Sequence, residues 1–344
     1  MPGPNDSDDV QTWGANDGPD GGGTASFFIG EARVNIMDDT IDTDFDVGHD
    51  AWHPNGGQDR GRSGDGSDKG KPTEMHRITA SWGARKEGVE ACARRVLSVL
   101  TCLGQCHPCF SKWFKRVRSR RKPPGEVKLD EQELQRMLQA GRSRSYVDRE
   151  PIEELGFDFF AWTNVYEKAF ADIYIRCGAY GYASNHCMLF LPGESPVREQ
   201  VLQIPVLLKI MRCIISALEP SYVVVNSLDY LFRPPGLHDG ETPAMGWLIY
   251  LPIELEQVPA LPAPARVVPV DWDKHAQACM THKAEVRERD ACKAQATQEE
   301  PKAGGVLVIV TGDEIFTARN PEHVKLADGV GQLLLEAGLL HSDQ

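Results

Sequence analysis

The sequence lacks the short motifs that mark the common catalytic and nucleotide-binding sites. Its 344 residues contain no Gly-x-x-x-x-Gly-Lys-Ser/Thr phosphate loop, no Gly-x-Ser-x-Gly nucleophile elbow, no His-Glu-x-x-His zinc motif and no dinucleotide glycine pattern. In the last hundred residues, no acid, base or nucleophile stands at a catalytic spacing from a partner. These absences favour a binding protein over an enzyme, and we expect no cofactor.

Long apolar runs are also missing. The most apolar helical stretch, 204–218, is interrupted by Lys209 and Arg212 and is too short to cross a bilayer. The first residues show no basic segment followed by an apolar one, the pattern that is typical of secretory signals. We therefore expect a cytoplasmic protein that makes no membrane contact.

The nine cysteines are odd in number and scattered through apolar patterns. Without an export signal, this usage predicts reduced thiols that pack as small core residues, and not a disulfide framework.

Negative charge is concentrated at one end of the chain. Residues 1–72 hold fifteen Asp or Glu and five Lys or Arg, so they contribute −10 of the total net charge of −13. A segment so rich in Asp, Gly, Asn and Pro cannot bury enough apolar surface to offset the entropy of ordering, which predicts a disordered acidic tail. A misassigned start codon is the alternative explanation.

The remaining residues have a mildly acidic net charge, which does not indicate direct nucleic-acid binding.

Residues 73–340 predict one α+β domain, with a mixed or antiparallel sheet packed by several helices. The charged segment 273–303 predicts a solvated helical insertion, and the Pro-rich segment 258–264 predicts an extended surface crossing. The predicted strands are 75–82, 171–177, 186–191, 222–225, 248–252, 267–270 and 305–311. The predicted helices are one that begins at Lys86, a short one marked by Phe110 to Val117, one capped by Asp130 with Glu133 as its capping-box partner, 204–218, and 321–335 with Asn320 as its cap and Gly338 beyond its end.

Two segments resemble each other, since 96–113 and 210–225 each join an apolar helix to a proline and then an aromatic residue. An internal duplication that gives two repeated halves is one hypothesis. Amphipathic helices that end before proline are common, so coincidence is the alternative.

Two Cys/His sets have spacings that would suit a metal. The first is Cys102, Cys106, His107 and Cys109, and the second is His275, Cys279, His282 and Cys292. A structural zinc site usually needs two Cys-x-x-Cys pairs, and this chain has one, so core packing is favoured for the first set. The second set lies in a polar insertion with nothing to orient its ligands. The basic run 112–122 suits phosphate contacts or a cationic helix end, and we favour the latter.

Taken together, many short matches resemble the immunity protein 52 family over residues 75–340. The matching stretches include Ser81-Trp82-Gly83, Arg85-Lys86-Glu87-Gly88, Phe110 with Trp113, Gly141-Arg142-Ser143-Arg144, Glu153-Glu154-Leu155-Gly156-Phe157, Cys177-Gly178-Ala179-Tyr180, Gly246-Trp247, Leu261-Pro262-Ala263-Pro264 and Phe316-Thr317-Ala318 with Asn320-Pro321-Glu322-His323-Val324. The departures from the family pattern are the acidic tail, the insertion 273–303, and Ser143 where asparagine is more typical.

The resemblance implies an α+β protein that neutralises a polymorphic or contact-delivered toxin by binding it. The toxin of such systems is often a nuclease of the restriction-endonuclease fold, which implies a protein partner and no direct nucleic-acid contact. No catalytic residue follows from the resemblance. The alternative function is a metal-dependent enzyme or regulator that uses the Cys/His sets, and stoichiometric zinc in purified protein would favour it.

The loop 226–244, together with the adjoining strand from Met245, is the candidate toxin interface. It joins two apolar strands and mixes aromatic anchors with acids, which suit the cationic cleft that a nuclease needs for DNA. Its candidate interface residues are Asp229, Tyr230, Phe232, Asp239 and Glu241. A solvated connection with Phe232 folded into the core is the competing interpretation. Separately, Trp82, Trp113, Trp162 and Trp247 are predicted to be packing residues.

The tail generates the first testable prediction. Deletion of residues 1–72 should leave a folded domain, because the tail has no core-forming pattern. Circular dichroism and thermal unfolding of the truncated protein check this, and loss of helical signal or of cooperative melting would contradict it.

Overall fold

The structure is a computed structural model that describes residues 73–115, 124–145, 147–163, 170–233, 245–270 and 304–340. It also gives the backbone of two three-residue strands, β1 (Phe27–Ile29) and β2 (Ala32–Val34), which pair as an antiparallel hairpin. Apart from this hairpin, the predicted acidic tail lies outside the described residues, as does the insertion 273–303.

The core of the fold is a nine-stranded sheet in the order β10-β11-β9-β8-β3-β7-β6-β5-β4. Every neighbouring pair is antiparallel, which confirms the α+β prediction and settles the mixed-or-antiparallel alternative. The strands are β3 (His76–Trp82), β4 (Phe114–Lys115), β5 (Phe157–Trp162), β6 (Asp172–Cys177), β7 (Asn185–Phe190), β8 (Tyr222–Ser227), β9 (Leu248–Leu251), β10 (Arg266–Val270) and β11 (Gly305–Ile309).

The helices are α1 (Val89–Cys106), α2 (Glu131–Ala140), α3 (Val197–Val201), α4 (Ile204–Leu218), α5 (Leu228–Leu231) and α6 (Pro321–Glu336). Short 3₁₀ turns lie at Pro108–Phe110, Glu153–Leu155 and Leu255–Gln257. In the described part of the chain, none of the helices combines the length and the apolar character that a membrane crossing requires.

Strand β3 lies at the centre of the sheet, between β7 and β8. Its residues alternate between buried and half-buried, as expected of a strand with one face against a core. Ile78, Ala80 and Trp82 point to the buried face. Their cross-strand neighbours on β6, β7 and β8 are equally buried, so a continuous apolar surface runs across the sheet.

Helix α1 covers this buried face, with α2 and α4 packed beside it. Cys92 on α1 approaches the turn after β6, where an added Cβ on Gly178 would lie 3.2 Å from its sulfur. The apolar residues of α1 recur at helical spacing, and the buried ones include Cys92, Val96, Leu100 and Leu103. The predicted boundaries of α4 and of the hairpin formed by β6 and β7 agree with the structure to within one residue.

The predicted helix from Phe110 to Val117 is wrong in its described part. Residues 108–110 form a 3₁₀ turn, and Phe114–Lys115 form β4, which pairs with Ala161 and Trp162 of β5. The backbone N–H of Val127 donates to the Trp113 carbonyl at 2.7 Å. Pairing in the sheet therefore gives hydrogen-bond partners to backbone N–H and C=O groups that a short helix after Pro108 would leave unpaired. Residues 116–123, with most of the basic run, lie outside the described residues.

The predicted start of α2 is correct, but its capping box is incomplete. Asp130 caps the helix, since its Oδ1 accepts from the Glu133 N–H at 2.8 Å. The Glu133 carboxylate does not return to the Asp130 backbone, because it pairs with Lys115 and with Arg136 at 2.6 Å. Asn320 caps α6 as predicted, and Gly338 follows that helix with a φ of 68°.

The prediction that all cysteines are reduced is wrong for two of them. Cys102 of α1 and Cys213 of α4 form a disulfide with a Cα–Cα distance of 5.6 Å. The spacing of cysteines within the sequence gave no sign of this bond, since the two partners are 111 residues apart. Cys92, Cys177 and Cys187 are free and buried, as predicted for core residues.

The two segments of the duplication hypothesis each contain a helix that is followed by a strand of the same sheet. Helix α1 precedes the two-residue edge strand β4, whereas α4 precedes the central strand β8. A duplication stays a prediction.

The opposite side of the sheet has an unusual composition. We call the residues of β3, β5, β6 and β7 that point away from α1 the outer face. Four of its twelve residues are aromatic, and none is Lys or Glu; they are Arg77, Thr79, Ser81, Asp158, Phe160, Trp162, Asp172, Tyr174, Arg176, His186, Met188 and Phe190. Most are half-buried, and Phe160 is 43% exposed.

Three of the four tryptophans that were predicted to pack are buried, namely Trp82, Trp113 and Trp247, whereas Trp162 on the outer face is half-buried. We expect Trp247→Ala to lower the free energy of unfolding by about 3–5 kcal/mol, because it removes a fully buried indole. Urea denaturation measures the change. Tyr182→Ala is the control, since Tyr182 is 73% exposed and should cost little. Equal stability of the two variants would contradict the packing role.

Candidate functional site

The candidate interface lies at the end of the sheet where β8 finishes and β3 begins. Ser227 is the last residue of β8 and caps α5, the single helical turn that contains Asp229 and Tyr230. The segment before β3 and the loop between β11 and α6 meet α5 here. Sequence segments that are more than 200 residues apart thus frame the site.

Glu74 joins these segments. Its buried carboxylate accepts hydrogen bonds from the hydroxyls of Ser227 and Thr317 and from the Ala318 N–H at 2.8 Å. Burial by itself raises the pKa of this carboxyl, but the three hydrogen bonds outweigh it and hold the pKa below its ordinary value. An ionised Glu74 therefore ties the start of β3 to both α5 and the loop after β11.

His76 reinforces the same junction from within the core. It is 1% exposed, and its Nε2 lies 2.9 Å from the Phe316 carbonyl oxygen. Burial lowers the pKa of His76, so the neutral ring donates from Nε2 to this carbonyl. The position of Phe316 is therefore fixed by a backbone contact as well as by packing.

Tyr230 is a packing residue in this structure and not a surface anchor. Its side chain is fully buried, its hydroxyl donates to Asp328 Oδ1 on α6 at 2.7 Å, and its ring meets Phe316 edge-on at 5.2 Å. The Arg233 guanidinium lies 4.0 Å from the ring centroid and also donates to Asp328, at 3.0 Å. Tyr230 therefore fastens α5 to α6 and cannot itself touch a partner in this conformation.

Phe232 and Asp229 are the predicted interface residues that reach the surface. Phe232, directly after α5, is 52% exposed, so the competing interpretation that folded it into the core does not hold. Asp229 has a 47% exposed side chain and pairs with Arg319 at 3.4 Å. Asp239 and Glu241 lie outside the described residues.

Beside Arg319 is an open cleft of about 440 Å³, lined by Thr73, Glu74, Arg198, Ile315, Thr317 and Arg319. Sequence reasoning missed this cleft, because its residues come from three separate segments and none belongs to a motif. The one usable signal was the family-like stretch 316–318, of which Thr317 lines the cleft.

The first Cys/His set does not form a metal site. Cys102 is bonded to Cys213, and the His107 ring accepts from the Cys109 N–H and contacts Gln200. Within the ranges that the structure describes, no three His, Cys, Asp or Glu side chains are arranged to hold a metal ion. The second set, from His275 to Cys292, is outside those ranges.

Comparison with known proteins gives a family match. The family model of immunity protein 52 matches residues 74–288. No curated protein matches the chain in sequence. Among solved structures, the Pseudomonas aeruginosa T6SS protein PA0821 is similar, with 12% sequence identity, a TM-score of 0.37, and coverage of 75% of this chain and 72% of that one.

Glu74 provides a test of the junction. Because its folded-state pKa is depressed, the ionised carboxyl stabilises the fold above the unfolded-state value of 4.5, and this contribution is lost as the pH falls through the folded pKa. We expect Glu74→Gln to lower the unfolding free energy at pH 7 by about 1–3 kcal/mol, with a smaller difference from wild type at pH 4. Urea denaturation at both pH values measures this, with the exposed Glu194→Gln as control. A Glu74→Gln protein as stable as wild type at pH 7 would show that the junction does not depend on the carboxylate.

Proposed function

This chain belongs to the immunity protein 52 family, and on that basis we propose that it neutralises a cognate bacterial toxin by binding it. The toxin that we propose is a nuclease of the restriction-endonuclease fold, met in the cytoplasm, where its DNA substrate lies. The observation that carries the proposal is the family match over residues 74–288. Inhibition by binding requires no catalytic group, and the site around α5 is built from packing and hydrogen bonds.

We place the toxin contact at Phe232 and Asp229, beside the cleft. Aromatic side chains supply much of the energy of protein interfaces, and Phe232 is a large exposed one. The buried contacts of Tyr230 with Phe316 and Asp328 hold α5 in place, so little conformational freedom would be lost when a partner docks. This arrangement supports an anchor that is ordered before binding.

Charge supports the nuclease as partner. A DNA-cleaving domain must present cations to phosphate, and acids on an inhibitor are complementary to such a surface. Asp229 lies at the surface next to Phe232, and Asp239 and Glu241 follow in the same loop of the sequence. The salt bridge from Asp229 to Arg319 is exposed, so a toxin cation could replace Arg319 at small cost.

The anchor is tested with the purified toxin domain encoded beside this gene. Phe232→Ala should weaken binding by about 2 kcal/mol, or roughly thirtyfold, because it removes a central aromatic contact. Leu255→Ala is the matched control, since Leu255 is 44% exposed in a different turn and should bind as wild type does. Titration calorimetry measures both. Unchanged affinity of Phe232→Ala would remove this surface from the proposal, and no binding by wild type would overturn the function.

The charge complementarity is tested separately by kinetics. Replacing Asp229, Asp239 and Glu241 with Asn, Asn and Gln should slow association and flatten its dependence on salt, because electrostatic steering is screened by ions. Surface plasmon resonance at low and high salt measures the association rate. If wild type and variant show the same rates and the same salt dependence, the loop acids do not face the toxin.

A further inference from the structure

The outer face does not have the composition of a solvated sheet surface. Antiparallel sheets with one buried face usually present polar residues on the other. Here Phe160 stacks on Tyr174 at a centroid distance of 4.3 Å, and His186 meets Tyr174 edge-on at 4.9 Å. Seven of the twelve residues are of types that interfaces favour, namely Phe, Tyr, Trp, Met and Arg, and three are of types that interfaces disfavour, namely Ser81, Asp158 and Asp172. The composition is that of a docking surface.

The charges on the outer face are not all satisfied. Arg176 donates to Asp158 through Nε at 2.8 Å and Nη2 at 3.1 Å, which completes one ion pair. Arg77 stacks over Phe190 at 5.6 Å, but its buried Nε has no hydrogen-bond partner among the described residues. Burial lowers the pKa of Arg77 to about 10, which reflects a cation taken from water without a compensating anion.

A buried amide stands beside Arg77. Asn226 of β8 is its cross-strand neighbour and is 1% exposed, and neither its Nδ2 nor its Oδ1 has a hydrogen-bond partner in the part of the chain that is described. Because this amide is buried, an incoming group would meet Arg77 and not Asn226. A carboxylate is a strong acceptor for an arginine. Arg77 and the aromatic residues around it therefore suit an occupant that brings an acidic side chain along with apolar ones.

We propose that the outer face docks the acidic N-terminal segment of the same chain, residues 1–72. This segment joins the sheet at Thr73, four residues before Arg77, and carries fifteen acids. Within it, residues 36–47 interleave Asp38, Asp39, Asp42, Asp44 and Asp46 with Ile36, Met37, Ile41, Phe45 and Val47. Twelve extended residues reach about 40 Å, which exceeds the roughly 15–20 Å that four strands occupy.

Charge favours this occupant over the toxin. The outer face is neutral overall, with two arginines and two aspartates, and Arg176 is paired with Asp158. Arg77 is therefore a local attraction for an acidic segment, and it would oppose the cations that a nuclease presents at its DNA site. The covalent connection also gives the segment an effective concentration on the order of 1 mM, so even millimolar affinity keeps it docked about half of the time. The docked segment covers aromatic surface that would otherwise promote self-association. This inference does not depend on the proposed function.

The test uses hydroxyl-radical footprinting of the full chain, read by mass spectrometry at Tyr174, Met188 and Phe160. The comparison is wild type against a variant in which Asp38, Asp39, Asp42, Asp44 and Asp46 are replaced by Asn. Oxidation of the three outer-face residues should rise about twofold or more in the variant, because the segment is released. Wild type in 1 M salt should change in the same direction, since the Debye length falls to about 3 Å. Tyr182, 73% exposed and outside the outer face, is the internal reference and should not change.

Arg77→Gln should reproduce the rise in oxidation, whereas Arg94→Gln, an exposed arginine on α1, should not. If Arg77→Gln does not fold, the five-Asp variant still decides the question, because it leaves the folded domain untouched. Equal oxidation in wild type and the five-Asp variant would overturn the proposal. Protection that grows with protein concentration would overturn it as well, since it would show a second copy on the outer face.

Discussion

The fold depends on the burial of β3. This strand is the first of the sheet in the sequence, yet it lies in the centre, and its neighbours β7 and β8 come from more than a hundred residues later. Ile78, Ala80 and Trp82 form one side of β3, and α1 and α4 cover the surface to which they belong. The sheet and the helices each bury the apolar side of the other, so each layer depends on the other for its stability.

The site around α5 is held in place by its contacts with that core. Glu74 stands two residues before β3, and its carboxylate fixes both the cap of α5 and the loop after β11. His76 and Tyr230 add buried contacts to Phe316. A surface that is attached in this way to the central strand cannot move independently of the fold, which suits recognition of a partner in a preset shape.

The sequence predicts structure well where the determining residues lie close together in the chain. Several features could be predicted because the residues that determine them are adjacent or at helical spacing. They are helix α4, the hairpin of β6 and β7, the caps Asp130 and Asn320, and the buried tryptophans. The site could be predicted only in part. Phe232 and Asp229 lie at the surface, as an interface role requires, and that role stays a prediction. The burial of Tyr230 depends on Asp328 and Phe316, about 90 residues away. Other features also depend on contacts between residues far apart in the sequence, so no local pattern predicts them. These are the edge strand β4, the Cys102–Cys213 bond and the hydrogen bonds of Glu74.

The disulfide between α1 and α4 closes a loop in which β4, β5, β6 and β7 all lie. A covalent ring of 111 residues restricts the unfolded chain, and in the chain-entropy account this is worth about 5 kcal/mol. That amount equals a large part of the whole stability of an ordinary domain. The same polypeptide should therefore resist proteolysis less in a reducing compartment, where the bond is opened, than in an oxidising one.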